Sequence, residues 1–139
     1  AYKGIPIASS LATQLGLKNS KAYPVCFDRK EEKDHGEGGV LIGSVENKRV
    51  LVVDDVLTAG SALRNAIKLV NESGGKVVAA VVALDREEKN KDAGTVKESL
   101  EGELNIPIRS IASISRLTNF LEQENLQEQA DLIKRHYFE

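Results

Sequence analysis

The chain has 139 residues, of which 41% are hydrophobic and only 4% aromatic, enough to bury one core and too few for two domains. Nineteen basic residues against twenty-one acidic ones give a net charge of -2, which excludes an overall positive field for nucleic acid or an anionic membrane, so any phosphate site must be local. No apolar run approaches membrane-spanning length, AYKGIPIASS lacks the layout of a signal peptide, and the single Cys26 excludes an internal disulfide or a cysteine-only metal site, so a cytoplasmic protein with a buried, inert thiol is expected.

Ala1 to Gly4 read as the middle of a loop, so a further segment is expected before them. Pro6 suits a first helical position, and Ile7, Leu11 and Leu15 recur every fourth residue until Gly16. Lys3 falls just before that helix, where it can join backbone N–H groups around a phosphate, although many such lysines are only solvated. Ala22 to Phe27 predicts a buried strand with Pro24 near its start. Asp28 to Gly39, DRKEEKDHGEGG, holds three basic residues, five acidic ones, one histidine and three glycines, with no apolar anchor. One reading is a solvated hairpin loop. The other is a lid over an anionic substrate, carried by Arg29, Lys30, Lys33 and His35, which its exit from the carboxyl end of a strand favours. Val40 to Val45 then predicts a short strand leading to a turn at Glu46 to Lys48.

Arg49 to Ala62, RVLVVDDVLTAGSA, predicts a buried parallel strand running into a phosphate-binding loop. Val50 to Val53 are continuously apolar, and Asp54 and Asp55 are expected to end the strand, where open α/β sheets bind ligands. Thr58, Ala59, Gly60 and Ser61 follow, and Leu63, Ala66, Ile67 and Val70 mark a helix over Ser61 to Ser73 stopped by Gly74 and Gly75. Loop amides and a helix N-terminus would thus converge beside two acids, a set suited to a phosphate with sugar hydroxyls or a magnesium-bound group next to it. The competing reading is a core strand whose aspartates cap the next helix. The G-K-[ST] ending of a Walker loop is absent.

Val77 to Leu84 predicts a central parallel strand ended by Asp85 and Arg86, and Arg86 is either a bidentate ligand for a planar anionic substrate or an ordinary surface arginine. Glu87 to Asp92 reads as solvated surface. Thr95 and Glu98 form a capping box for a helix carrying Val96, Leu100 and Leu104, which Asn105 and Pro107 terminate. Ile108 to Ile114 predicts the last strand, Ser115 the cap of a helix bearing Leu117, Phe120 and Leu121, and Leu126 to Tyr137 a closing amphipathic helix. The alternation argues for an α/β fold with a parallel sheet.

The string VLVVDDVLTAGSA resembles the phosphoribosyl-diphosphate (PRPP) signature of type I phosphoribosyltransferases, two acids followed by a T-x-G-x loop. With AYKGIP and the lid R-K-x-x-K-D-H-G-E-G-G, the three blocks are together similar to the orotate phosphoribosyltransferase family of bacterial and fungal type, continuously from Ala1 through Arg86 and more loosely beyond. The resemblance implies one phosphoribosyltransferase domain over residues 1–139, of type I fold with a flexible lid, working in pyrimidine synthesis with Mg²⁺ held mainly through PRPP rather than by protein ligands. It implies PRPP contacts from Tyr2, Lys3, Arg29, Lys30, Lys33 and His35, and ribose hydroxyls held by Asp54 and Asp55. Thr58, Ala59, Gly60, Ser61 and Ala62 would take the 5-phosphate, Val56 and Leu57 would also contact PRPP, and Thr58 and Arg86 would meet orotate. Lys33, Asp34, His35, Asp54 and Asp55 are the catalytic set it implies, with Glu37 in the same lid. The partners implied are PRPP, orotate and a second copy of the chain sharing its lid across a homodimer. The family's preceding segment, with a strand and an orotate-site lysine, has no counterpart in this sequence. A PRPP-binding regulatory module without turnover is therefore the alternative, and a flavodoxin-like nucleotide-binding domain would explain the strand order without the lid.

Overall fold

The computed structural model describes residues 3–33, 39–90 and 94–137, without the side chains of 30–33. Helix α1, Gly4–Asn19, begins two residues before Pro6 and runs three past Gly16, closing on Ser20 in the left-handed conformation. Its N-terminus presses on the strand that follows in space: a Cβ on Gly4 would lie 3.0 Å from the Val53 carbonyl oxygen and 3.6 Å from Asp54 Oδ1. A side chain there would force the Val53 carbonyl to give by a few tenths of an ångström, so glycine suits an approach that brings Lys3 beside the central motif.

The strand expected at Ala22 to Phe27 is not formed. Strand β1 is Phe27–Lys33, so it runs through the charged stretch instead, and it pairs antiparallel with β2, Gly39–Ile42. Ala22 to Cys26 have no strand assignment; Cys26 and Leu41 pack against the core beside them. Pairing with β2, rather than strand composition, decides that this charged stretch is extended.

The central sheet is parallel with order β3-β4-β7, formed by Arg49–Leu57, Lys76–Asp85 and Ile108–Ser113. The expected central position of Val77 to Leu84 is found. Val52, Ala80 and Ile108 are neighbours across the sheet and all are buried, under α2, Ser61–Glu72, and α3, Val96–Leu104. Leu63, Ile67 and Val70 of α2 and Leu100 of α3 complete this core. The opposite face is less covered than a doubly buried sheet would be, because Leu51 and Ile111 are exposed there.

Local chemistry sets the boundaries. Helix α2 ends in a Schellman arrangement, with Gly74 at φ +77°, its N–H donating to the Asn71 carbonyl at 3.1 Å and that of Gly75 to Val70 at 2.9 Å. Thr95 and Glu98 form the expected capping box, and Asn105 closes α3 in the left-handed conformation. The short strands β5, Lys89–Asn90, and β6, Gly94–Thr95, pair antiparallel before it. Ser113, not Ser115, caps α4, Ile114–Gln123, by accepting from the Arg116 N–H. Helix α5, Gln127–Tyr137, packs on α4 and buries Ala130. The apolar stripe expected on α4 points partly outward, since Phe120 and Leu117 are exposed while Ile114 and Thr118 are buried.

Candidate functional site

The two aspartates do not end the strand; they lie inside β3, which continues through Val56 and Leu57 beside Leu84 and Asp85 of β4. The parallel ladder to β4 outweighs the poor strand propensity of aspartate. The turn is therefore confined to Thr58, Ala59 and Gly60, and α2 begins at Ser61. Gly60 is the N-cap, at φ +79°, and a Cβ there would meet Leu100 Cδ1 at 2.6 Å. Leu100 is fully buried, so a side chain at 60 would force it to repack, and the positive φ independently favours glycine. Leu57, included in the expected PRPP contacts, has its side chain in the core and offers a ligand only its main chain, whose carbonyl already accepts the Arg86 N–H at 3.2 Å.

Asp54 and Asp55 sit in different electrostatic settings. The Asp55 N–H donates to Asp54 Oδ1 at 2.9 Å, which occupies one Asp54 oxygen. Burial pushes the Asp54 carboxyl above the ordinary carboxylate range, opposed by that N–H and reinforced by the charge on Asp55. Burial also pushes Asp55 up, but the Val56 N–H and the Lys3 ammonium outweigh it, so Asp55 is held below the ordinary range. Lys3 Nζ stands 3.5 Å from Asp55 Oδ2 and is itself largely exposed. The fold thus joins the first expected block to the central motif.

Arg86 follows the carboxyl end of β4, next to the start of the loop. Its buried Nε lies 3.4 Å from Glu88 Oε1, an ion pair without a hydrogen bond, and its guanidinium stands 5.2 Å from the Tyr137 ring. The reading of Glu87 to Asp92 as solvated surface fails at Glu87. This residue is half-buried at φ +53°, its N–H donates to Asp85 Oδ1 at 2.9 Å, and its Oε2 accepts from both Ser115 N and Oγ at 2.6 Å. Asp85 is buried and, chiefly by that burial, raised above the ordinary range. These carboxylates fix the turn that carries Arg86.

Of the lid residues, Arg29 is half-buried in β1, Lys30 and Lys33 are placed only by their strand backbone, and Asp34, His35 and Glu37 lie outside the described residues, as does Tyr2. Cys26 is half-buried, and burial pushes its thiol up, as an inert thiol should behave. Among the described residues no cluster of three or more acidic, histidine or cysteine side chains converges on a metal site, and no helix is long and apolar enough to cross a membrane. Two neighbouring carboxylates are nevertheless the hard oxygen donors that a magnesium ion shares with a ligand's phosphates.

A family model described as the phosphoribosyl transferase domain matches residues 1–108. The orotate phosphoribosyltransferase of Aliivibrio fischeri is 42% identical over 137 residues, 98% of this chain and 64% of that protein. That of Acinetobacter baylyi is 42% identical over 123 residues, 88% of this chain and 57% of its own length. The crystal structure of the Francisella tularensis orotate phosphoribosyltransferase superposes with a TM-score of 0.76 at 30% identity, covering 99% of this chain and 67% of that one. The chain therefore spans less than two thirds of the length of these two curated relatives.

Proposed function

We propose, because this chain belongs to the phosphoribosyl transferase family, that it forms the PRPP-binding part of an orotate phosphoribosyltransferase of pyrimidine synthesis. The observation that carries this reading is the meeting of Lys3, the Asp54–Asp55 pair and the Thr58–Ser61 loop at one end of the sheet. In the reaction, the bond from the anomeric carbon to pyrophosphate breaks and a bond from that carbon to N1 of orotate forms. Its cation-like transition state needs a fixed ribose and stabilisation of the departing negative charge.

The chain's residues divide that work. Amides of Thr58 to Ala62 and the N-terminus of α2 hold the 5-phosphate. Asp54 and Asp55 accept hydrogen bonds from the ribose hydroxyls and anchor the sugar beside the developing charge. Lys3 meets the pyrophosphate with Tyr2, Arg29, Lys30, Lys33 and His35, while Asp34 lies close to the transferred group. Thr58 and Arg86 meet orotate, Arg86 through the planar fork suited to its carboxylate. Mg²⁺, bound chiefly through PRPP, supplies neutralisation of pyrophosphate charge. The working unit is a cytoplasmic homodimer in which each lid covers the neighbouring site.

The test is consumption of orotate by the full-length protein with PRPP and Mg²⁺, followed by the orotate absorbance. Stoichiometric formation of orotidine 5′-monophosphate and pyrophosphate is expected. PRPP binding without turnover would select a regulatory module instead.

A further inference from the structure

The phosphate loop is held from behind by a residue outside every motif described so far. Arg64 lies in the first turn of α2, and its Nε is 3.0 and 2.9 Å from the two carboxylate oxygens of Glu103 on α3, with Nη2 2.8 Å from Glu103 Oε2. The remaining arm, Nη1, donates to the Ala59 carbonyl at 3.2 Å, and the Arg64 main-chain N–H donates to the Gly60 carbonyl at 3.0 Å. One residue therefore holds two successive carbonyls of the loop. In a planar trans peptide the carbonyl and the next N–H point in opposite directions. Turning the Ala59 and Gly60 carbonyls towards Arg64 necessarily turns the Gly60 and Ser61 N–H groups the other way.

We infer that Arg64, locked by Glu103, is a positioning residue whose guanidinium, through the Ala59 carbonyl, aims the Gly60 amide at the ligand's 5-phosphate without touching the ligand, while its main-chain N–H sets the Ser61 amide as any residue there would. The inference deepens the proposed function and rests on its assignment of the loop. The chemistry explains the residue type: only arginine's planar fork can grip a carboxylate through one edge and a carbonyl with the remaining nitrogen. Both partners are substantially exposed, with side-chain accessibilities of 38% and 46%, so the pair adds little to folding stability and its effect on binding can be measured separately.

The experiment is calorimetric titration of the full-length protein with ribose 5-phosphate, which needs the loop, and with pyrophosphate, which does not. Wild type should bind both. Arg64→Gln should weaken ribose 5-phosphate by about tenfold, the scale of a lost charge-assisted hydrogen bond, and leave pyrophosphate unchanged. Glu103→Gln, which frees the guanidinium but keeps its donor, should weaken it by about threefold. In steady state the KM for PRPP should rise in both variants while that for orotate stays fixed. Equal ribose 5-phosphate binding by wild type and Arg64→Gln would overturn the inference alone, as would equal losses for both ligands, which mark general damage. A wild type that binds pyrophosphate but not ribose 5-phosphate would overturn the assignment of the loop itself.

Discussion

The β3–α2 loop and the β1–β2 ribbon are both assigned to one ligand, yet they are built in opposite ways. The loop is enclosed: Leu57 in front and Leu63 behind are core residues, Leu100 lies against Gly60, and Arg64 clasps its carbonyls. The ribbon is a two-stranded pair whose register shifts between Asp28 and Lys33, and its described anchors on the core are Leu41 within β2 and Cys26 just before β1. Two strands alone are marginally stable in water. The difference separates two tasks, since a group that must fit one phosphate is best fixed before binding, whereas a cover must admit its ligand first.

The sharpest way to break the fixed half is at Gly60. A valine there meets a buried leucine and takes a positive φ that β-branched residues avoid, with strain on the order of 1–3 kcal/mol. Gly60→Val should lower Tm by several degrees and reduce turnover by more than about a hundredfold, because the loop amides shift with it. Thermal melts and PRPP turnover on the same preparation check both.

Asp55→Asn tests the ligand side without disturbing the frame. Loss of a charge-assisted hydrogen bond predicts roughly a ten- to hundredfold fall in kcat/KM with Tm nearly unchanged. Unchanged turnover would remove Asp55 from the site.

The ribbon half is tested by subunit exchange. If the lid serves the neighbour, Lys33→Ala spoils the partner's site and Asp55→Asn its own. Mixed dimers then contain one sound site in two. Random pairing should return about a quarter of the wild-type rate. Proven exchange with no recovered activity would place the lid over its own subunit.

The smallest effect is one of pH. Asp54 is raised, so its contribution to stability is present at low pH and is lost as pH climbs from the ordinary carboxylate value through its raised one. Asp55 is depressed, so its contribution is present above the ordinary value and is lost as pH falls through the depressed one. Binding that needs both acids ionised should strengthen severalfold as pH rises through the Asp54 interval, somewhere above about pH 4. Asp54→Asn should flatten that rise in calorimetric titrations of PRPP.

The sequence made the parallel sheet, α2 and its glycine stop, the capping box and the paired acids legible because each is encoded within a few neighbouring residues. It misled where partners decide. Ala22 to Phe27 has strand composition but does not form the predicted strand, while the charged run from Asp28 pairs with Gly39 to Ile42 and does. Asp54 and Asp55 looked like a terminus until β4 extended beside them. Glu87 and Arg64 were missed because Ser115 and Glu103 lie far along the chain. The available hint was an arginine one turn into the helix after a phosphate loop.

Under the proposed function, the Lys3–Asp55 contact would make ligand capture an ion-exchange reaction. Before binding, Asp55 already has its counterion, tethered and largely in water, in a pair whose disruption costs at most about 1 kcal/mol. A ligand carrying both phosphates and hydroxyls can take the ammonium with the former and leave the carboxylate for the latter. The inventory of opposite charges at that corner then stays constant, so less salt should be displaced than the ligand's charge alone would demand. Neutralising Lys3 would remove this exchange and leave an uncompensated acid facing an anion.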